Sequence, residues 1–249
     1  VSCFVNKMRL IARIDTKMEY VIKGRQLEGV QKQYKLLDAF ETIKSLNLSK
    51  LVKPNEFLLH DSVASLYKWQ NYYLKNDVLP YSGRPLTISG GIRNIQDGLD
   101  LAKKCERISI NTFCFEDLSL LDKLSAVLGS QSVSVEIHVI EYRNSYRLLT
   151  CNGKETIVNL SLDDYLNLLK EHEFGEINLL SVNRDGMNLG LDIKLFKKVK
   201  SHFPKKSIVL GGGLDGFEKL DSYKEEGING VFFSSLFHKE MKKLIEAKI

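Results

Sequence analysis

Two Gly-Gly steps are the first residues in this 249-residue chain whose types and spacing could do chemistry. Leu86-Thr-Ile-Ser-Gly-Gly91 and Ile208-Val-Leu-Gly-Gly-Gly213 each end a short apolar run and precede a helix-patterned segment. Glycines at Gly90, Gly91, Gly212 and Gly213 let backbone N–H groups come close to a ligand. The apolar run that follows each step ends in small polar residues, Asn111-Thr112 and Ser234-Ser235, where a helix is expected to start. Free amides and the helix dipole favour an anion at such a place. Gly90 and Gly212 are 122 residues apart, and Asn111 and Ser234 are 123 apart. One Gly-Gly step alone reads as a tight turn. Two at one spacing, each followed by a polar strand end, read as two phosphate pockets for an elongated, bisphosphate-like ligand. The same interval pairs Asp15 with His138. Asp15 is a candidate general acid or base, and histidine titrates near neutral pH. The plainer roles are a turn cap for Asp15 and a packed, hydrogen-bonded ring for His138.

These residues need a scaffold that puts strand ends on one face. Candidate strands are Leu10–Ile14, Glu56–His60, Leu86–Ser89, Arg107–Ile110, Val133–Ile137, Glu176–Leu180, Ser207–Leu210 and Gly230–Phe233. Between them, Ile95–Lys104, Leu118–Leu128, Leu162–Glu171, Ile193–Phe203, Phe217–Glu226 and Phe237–Ala247 carry the helical apolar spacing. Alternating strands and helices imply parallel strands joined by crossovers. Eight units in about 250 residues predict an α/β fold, a (β/α)₈ TIM barrel. The repeat interval divides it into half-barrels of about 8–125 and 126–249 within one domain. Arg143–Thr156 reads as an extra hairpin after the fifth strand, with Asn152-Gly153 as its turn.

Composition narrows the function classes. Lys+Arg 36 against Asp+Glu 31 leaves a net charge of +5, spread along the chain without a basic arm. Small anionic substrates fit this better than nucleic acid, which is not an expected partner. Cys3, Cys105, Cys114 and Cys151 form no C-x-x-C pair, and no histidine stands at ligand spacing, so neither a metal nor a cofactor is expected. No apolar run approaches the ~18 residues that would span a bilayer. No membrane partner and a cytoplasmic location are therefore expected. Residues 1–7 precede Met8 and read as an extension.

At this point the residues carry a family pattern. Arg9-Leu-Ile-Ala-Arg-Ile-Asp15, Val21-Ile-Lys-Gly24, the Gly90–Gly91 segment to Arg93, Ser109–Thr112, Arg184-Asp-Gly186 and Ser234–His238 resemble the cyclase subunit of imidazole glycerol phosphate synthase. The resemblance runs from about Arg9 to His238. It implies a barrel that docks a glutaminase subunit at its N-terminal face, as a heterodimer. Ammonia would pass through to the C-terminal face, where a phosphorylated ribulosyl ligand would be cleaved and cyclised. The family's first catalytic aspartate falls on Asp15 and its loop lysine on Lys23. Ligand positions fall on Gly90, Gly91, Asn111, Thr112, Asp185, Gly186, Gly212, Gly213, Ser234 and Ser235, with a further aspartate on Asp61. A charged ring that gates ammonia falls on Arg9, Glu56, Arg107 and Glu176.

One departure bears on the chemistry: the second catalytic aspartate falls on His138. Asp61-Ser-Val-Ala-Ser-Leu-Tyr67 is similar to a branch of paralogues that assist amidation of bacterial surface sugars, where a separate sugar amidotransferase is the acceptor. Insertions at 46–55 and 71–84 also depart from the usual pattern. Two readings stay open. One is an active cyclase of histidine biosynthesis. The other is a barrel that passes a glutaminase's ammonia onward with impaired cyclase chemistry. The lost aspartate and the retained ring tilt the balance to the second.

Overall fold

The computed structural model describes residues 8–45, 54–76 and 83–246. The extension at 1–7, most of the first predicted insertion (46–53) and part of the second (77–82) lie outside the described residues, as does Cys3. Among the described residues there are twelve strands: β1 Arg9–Lys17, β2 Tyr20–Arg25, β3 Glu28–Lys35, β4 Glu56–Asp61, β5 Leu86–Ser89, β6 Arg107–Ile110, β7 Val133–Tyr142, β8 Ser145–Thr150, β9 Glu155–Ile157, β10 Glu176–Ser181, β11 Ser207–Gly211 and β12 Gly230–Phe233. The helices are α1 Leu36–Ser45, α2 Tyr72–Asn76, α3 Ile95–Ala102, α4 Ser119–Leu128, α5 Leu162–Leu169, α6 Ile193–His202, α7 Leu220–Glu225 and α8 Ser235–Glu246.

β1, β4, β5, β6, β7, β10, β11 and β12 pair in that order, all parallel, and β12 returns to β1. This is the closed eight-stranded (β/α)₈ barrel that the alternation predicted. Short strands such as β11 and β12 read as apolar runs because both faces are covered, whereas β1 and β7 also carry polar residues. On β7, Val133, Val135 and Ile137 face the helices and are fully buried in the main core. Ser134, Glu136 and His138 alternate with them and face the barrel axis. Helix starts are fixed locally: Asn94 accepts the Asp97 N–H at 2.8 Å, Ser161 the Asp164 N–H at 3.1 Å, and Asp192 the Leu195 N–H at 3.0 Å.

Among the described residues two antiparallel excursions rise from the C-terminal rim. After strand five, Arg143–Asn144 turns β7 back into β8, and Asn152–Gly153 turns β8 into β9. The expected single hairpin is therefore two successive turns, and both central residues of each turn have positive φ. The other excursion, the β2–β3 hairpin, extends β1 and was not expected from the sequence. The segment expected as one helix at 217–226 is a 3-10 turn at Phe217–Lys219 followed by α7. Among the described residues no helix is long and apolar enough to cross a membrane.

Candidate active site and lumen

The N-terminal end of the barrel carries the four ring residues, one at the start of each of β1, β4, β6 and β10. Arg9 donates Nε to Glu56 Oε1 and Nη2 to Glu56 Oε2, each at 2.6 Å, and also pairs with Glu176. Arg107 Nη1 lies 3.3 Å from Glu176 and 3.6 Å from Glu56. Each cation thus touches both carboxylates and the ring is shut. Ser207 adds a hydroxyl to Glu176 at 2.8 Å. Burial pushes the Glu56 carboxyl up, but Arg9 and Arg107 outweigh it and hold it below its usual range.

One layer further in, Ile11, Leu58, Val209 and Phe232 form an apolar cluster of their own, separate from the main core. Beside it Asn178 donates to the Ser109 and Ser134 hydroxyls at 3.0 and 3.2 Å. The next layer is charged. Arg13, buried on β1, donates Nε to Asp15 at 2.9 Å and Nη1 to Glu136 Oε1 at 2.5 Å. Arg13 and Glu136 are themselves 123 residues apart. The same Glu136 oxygen meets His138 Nε2 at 2.8 Å. His60 Nδ1 meets Ser89 Oγ at 2.6 Å and lies 3.6 Å from the other Glu136 oxygen.

This network fixes the protonation states at the mouth. Burial pushes the Asp15 carboxyl up, but Arg13, His60 and Lys23 outweigh it and hold it low, so it is ionised. Glu136 is held well below the usual range in the same way, by Arg13, His60 and His138. Burial and the nearby Arg13 lower His138 despite the pull of Glu136, leaving a neutral imidazole whose Nε2–H donates to the carboxylate. Asp15 and His138 therefore stand on opposite sides of the mouth, as the repeat spacing implied. They are joined through Arg13 and Glu136, and Asp15 serves as a counter-ion.

The two Gly-Gly steps are alike in backbone. Gly90 and Gly212 have φ +94° and +88°. A Cβ would sit 2.3 Å from the Asp61 carbonyl oxygen at the first and 2.2 Å from that of Ser181 at the second. Each step lines a pocket with its polar strand end: Gly90, Gly91, Asn111 and Thr112 in one, Gly212, Gly213, Ser234 and Ser235 in the other. The expected helix start holds at Ser234–Ser235, which opens α8. It fails at Asn111–Thr112, where a 3-10 turn at Thr112–Phe115 intervenes before α4. There the Asn111 amide is spent on the Glu136 carbonyl at 2.7 Å, and Thr112 Oγ1 accepts the Cys151 N–H at 3.1 Å.

The β2–β3 hairpin lies across the mouth. Lys23 Nζ reaches Asp185 at 3.2 Å, and the Gln26 N–H donates to the Asp185 carbonyl at 2.9 Å. Leu27 packs with Leu149, Leu180 and Val182. Gly186 permits the approach: a Cβ there would lie 3.1 Å from the Gly24 carbonyl oxygen. Asp61 is structural, since its carboxylate accepts the N–H groups of Val63, Ala64 and Tyr72 at 3.2, 3.2 and 2.8 Å. Burial pushes the Cys114 thiol up to about 12, so it is no nucleophile. Among the described residues no group of three His, Cys, Asp or Glu side chains is arranged to hold a metal.

Arg13, His60 and Glu136 were missed in the sequence. Their signal was there: a charge at an inward position of a buried strand, and the 123-residue interval applied to Arg13, which gives Glu136.

Comparison with known proteins gives a consistent answer. A family model described as "Histidine biosynthesis protein" matches residues 66–243. The imidazole glycerol phosphate synthase subunit HisF of Chlorobaculum parvum is 27% identical over 247 residues, covering 96% of this chain and 94% of the relative. That of Campylobacter lari is 27% identical over 258 residues, covering 97% and 94%. That of Legionella pneumophila is 26% identical over 227 residues, covering 87% of this chain and all of the relative.

Proposed function

The chain belongs to the histidine biosynthesis protein family, and on that premise we propose that it is the barrel subunit of a glutamine amidotransferase. It takes ammonia from a glutaminase docked at the N-terminal face and delivers it to a phosphorylated ligand at the C-terminal face. The 123-residue recurrence is read as two fused half-barrels in one domain. The observation that carries the proposal is the shut ring of Arg9, Glu56, Arg107 and Glu176. Two cations and two anions alternating at the barrel entrance neutralise each other and exclude ions. A swing of one arginine would admit a small neutral molecule such as ammonia. Inside, the Asn178, Ser109 and Ser134 groups offer it hydrogen bonds. Exit at the mouth brings it between the two Gly-Gly pockets, under the hairpin that carries Lys23.

The acceptor reading is amidation of a bacterial surface nucleotide sugar in the cytoplasm, with a sugar amidotransferase as a further partner. The mouth supports this over the second reading, an active imidazole glycerol phosphate cyclase. A cyclase needs acid–base groups at both ends of the ligand. Here Asp15 is tied to Arg13, and His138 is neutral, fully buried and committed to Glu136. Asp15 and Lys23 still occupy the mouth, which is what favours the second reading. Assay of ribulosyl bisphosphate cleavage, with the chain supplied with ammonium salt and a candidate glutaminase, separates the two. The proposal expects turnover at least about 10³-fold below that of a cyclase, the usual scale of one lost acid–base group. Turnover of cyclase magnitude would establish the second reading instead.

A further inference from the structure

The Arg13 guanidinium is only partly used. Nε goes to Asp15 and Nη1 to Glu136, whereas Nη2 is buried without a partner on a residue 3% exposed. Arg13 forms part of the wall of the pocket bounded by Gly212, Gly213, Ser234 and Ser235. In the same wall the Ser234 hydroxyl is also buried without a partner. α8 starts there and runs for 12 residues, so its first-turn N–H groups face the same place. Arg13 with its orphaned Nη2, the orphaned Ser234 hydroxyl and the start of α8 therefore border one pocket. Buried donors without acceptors are costly, and a single oxyanion would satisfy both.

The other pocket is built differently. Its Asn111 amide and Thr112 hydroxyl are already spent, and its inner wall is His60, whose buried free atom is Nε2. No arginine lines it. The two pockets, alike in backbone, differ in their charged walls: Arg13 and Asp185 line the first, His60 and Asp61 the second.

We infer that Arg13 is a ligand-binding residue that makes the Gly212–Gly213 pocket the primary anion site. The ligand is a dianionic phosphate ester, its phosphate seated on Arg13, Ser234 and the α8 amides and its other end directed to Gly90 and Gly91. Asp15 and Glu136 aim the guanidinium. This rests on the reading of both strand ends as anion pockets.

Amide NMR titration with inorganic phosphate at constant ionic strength resolves the two sites in one sample. The Gly212 and Gly213 amides are expected to saturate at about tenfold lower phosphate than those of Gly90 and Gly91, the scale of one charge-assisted hydrogen bond. Ser234→Ala should weaken the first site several-fold, and Arg13→Met about tenfold or more, with the second site unchanged. The Gly90 and Gly91 response also reports that the fold is intact. If neither pair of amides responds, the reading of both strand ends as anion pockets fails. If both respond at one concentration, or neither variant changes their ratio, the role of Arg13 alone is overturned. Should Arg13→Met not fold, the wild-type ratio and Ser234→Ala decide.

Discussion

Glu136→Gln tests the charged layer of the lumen most sharply. Glu136 is 1% exposed and is the common partner of Arg13, His138 and His60. Removing one member of a buried ion pair costs about 3–5 kcal/mol, because the other charge is left uncompensated. Glutamine keeps the shape and one acceptor oxygen, so a loss near the lower figure, about 3 kcal/mol, is expected. At roughly 2–4 °C per kcal/mol for a chain of this size, the melting temperature should fall by about 6–12 °C at pH 7. The pH dependence has a definite sign. Glu136 is ionised in the fold at a pKa held well below its unfolded value. Its contribution is fully present above about pH 4.3 and is lost as pH falls through the folded pKa. The gap between wild type and variant should therefore stay constant from pH 8 to pH 5 and narrow only in more acid solution. Differential scanning calorimetry across this range is the assay. A shift under about 1 °C at pH 7 would refute the buried network.

Three further outcomes follow from the geometry. Gly212→Ala puts a Cβ 2.2 Å from the Ser181 carbonyl oxygen at φ +88°. It should cost more than the roughly 1–2 kcal/mol of left-handed strain alone and weaken phosphate binding, read by thermal melts and NMR titration. His238 is fully buried, receives the Tyr34 hydroxyl at 2.6 Å, and is pushed down to about 3 by burial. Its proton binds the unfolded chain first, so stability should fall with a slope of up to about 1.4 kcal/mol per pH unit as pH drops from about 6.5 towards 3. His238→Gln should flatten that slope, and an unchanged urea midpoint profile would count against it. Leu27→Ala removes the hairpin's apolar anchor among Leu149, Leu180 and Val182. Hydrogen exchange in β2–β3 should rise by at least an order of magnitude while the barrel strands stay protected; equal protection would mean that the Lys23 and Gln26 contacts hold the hairpin alone.

Much of this was legible in the sequence because barrel strands have covered faces. Ile208–Leu210 announces itself as an apolar run and Val133–Ile137 by its alternating apolar residues, and the glycines and small polar residues at strand ends mark the rim. The repeat interval correctly placed Asp15 opposite His138. It could not reveal that Arg13 and Glu136 stand between them, because an inward charge on a buried strand shows its partner only once the barrel closes. The β2–β3 hairpin was hidden for two local reasons. Glu28–Lys35 is mostly exposed and polar, so it lacks a strand's apolar alternation. Its turn uses Gln26 and Leu27 at φ +52° and +60°, where Asn-Gly would have signalled it. At Asn111–Thr112 the small polar residues suggested a helix start, but the chain makes a 3-10 turn and spends both side chains on its own backbone.

Amide-¹⁵N glutamine tests the proposed passage of ammonia through the barrel. The chain, a candidate glutaminase and a candidate acceptor enzyme are supplied with labelled glutamine in an excess of unlabelled ammonium. The aminated product is expected to carry mainly the label in wild type. A large loss of label is expected for Glu176→Ala, which removes the carboxylate that both Arg9 and Arg107 grip. Product labelled no more than the bulk ammonium in wild type, or equally labelled in the variant, would contradict the proposed passage.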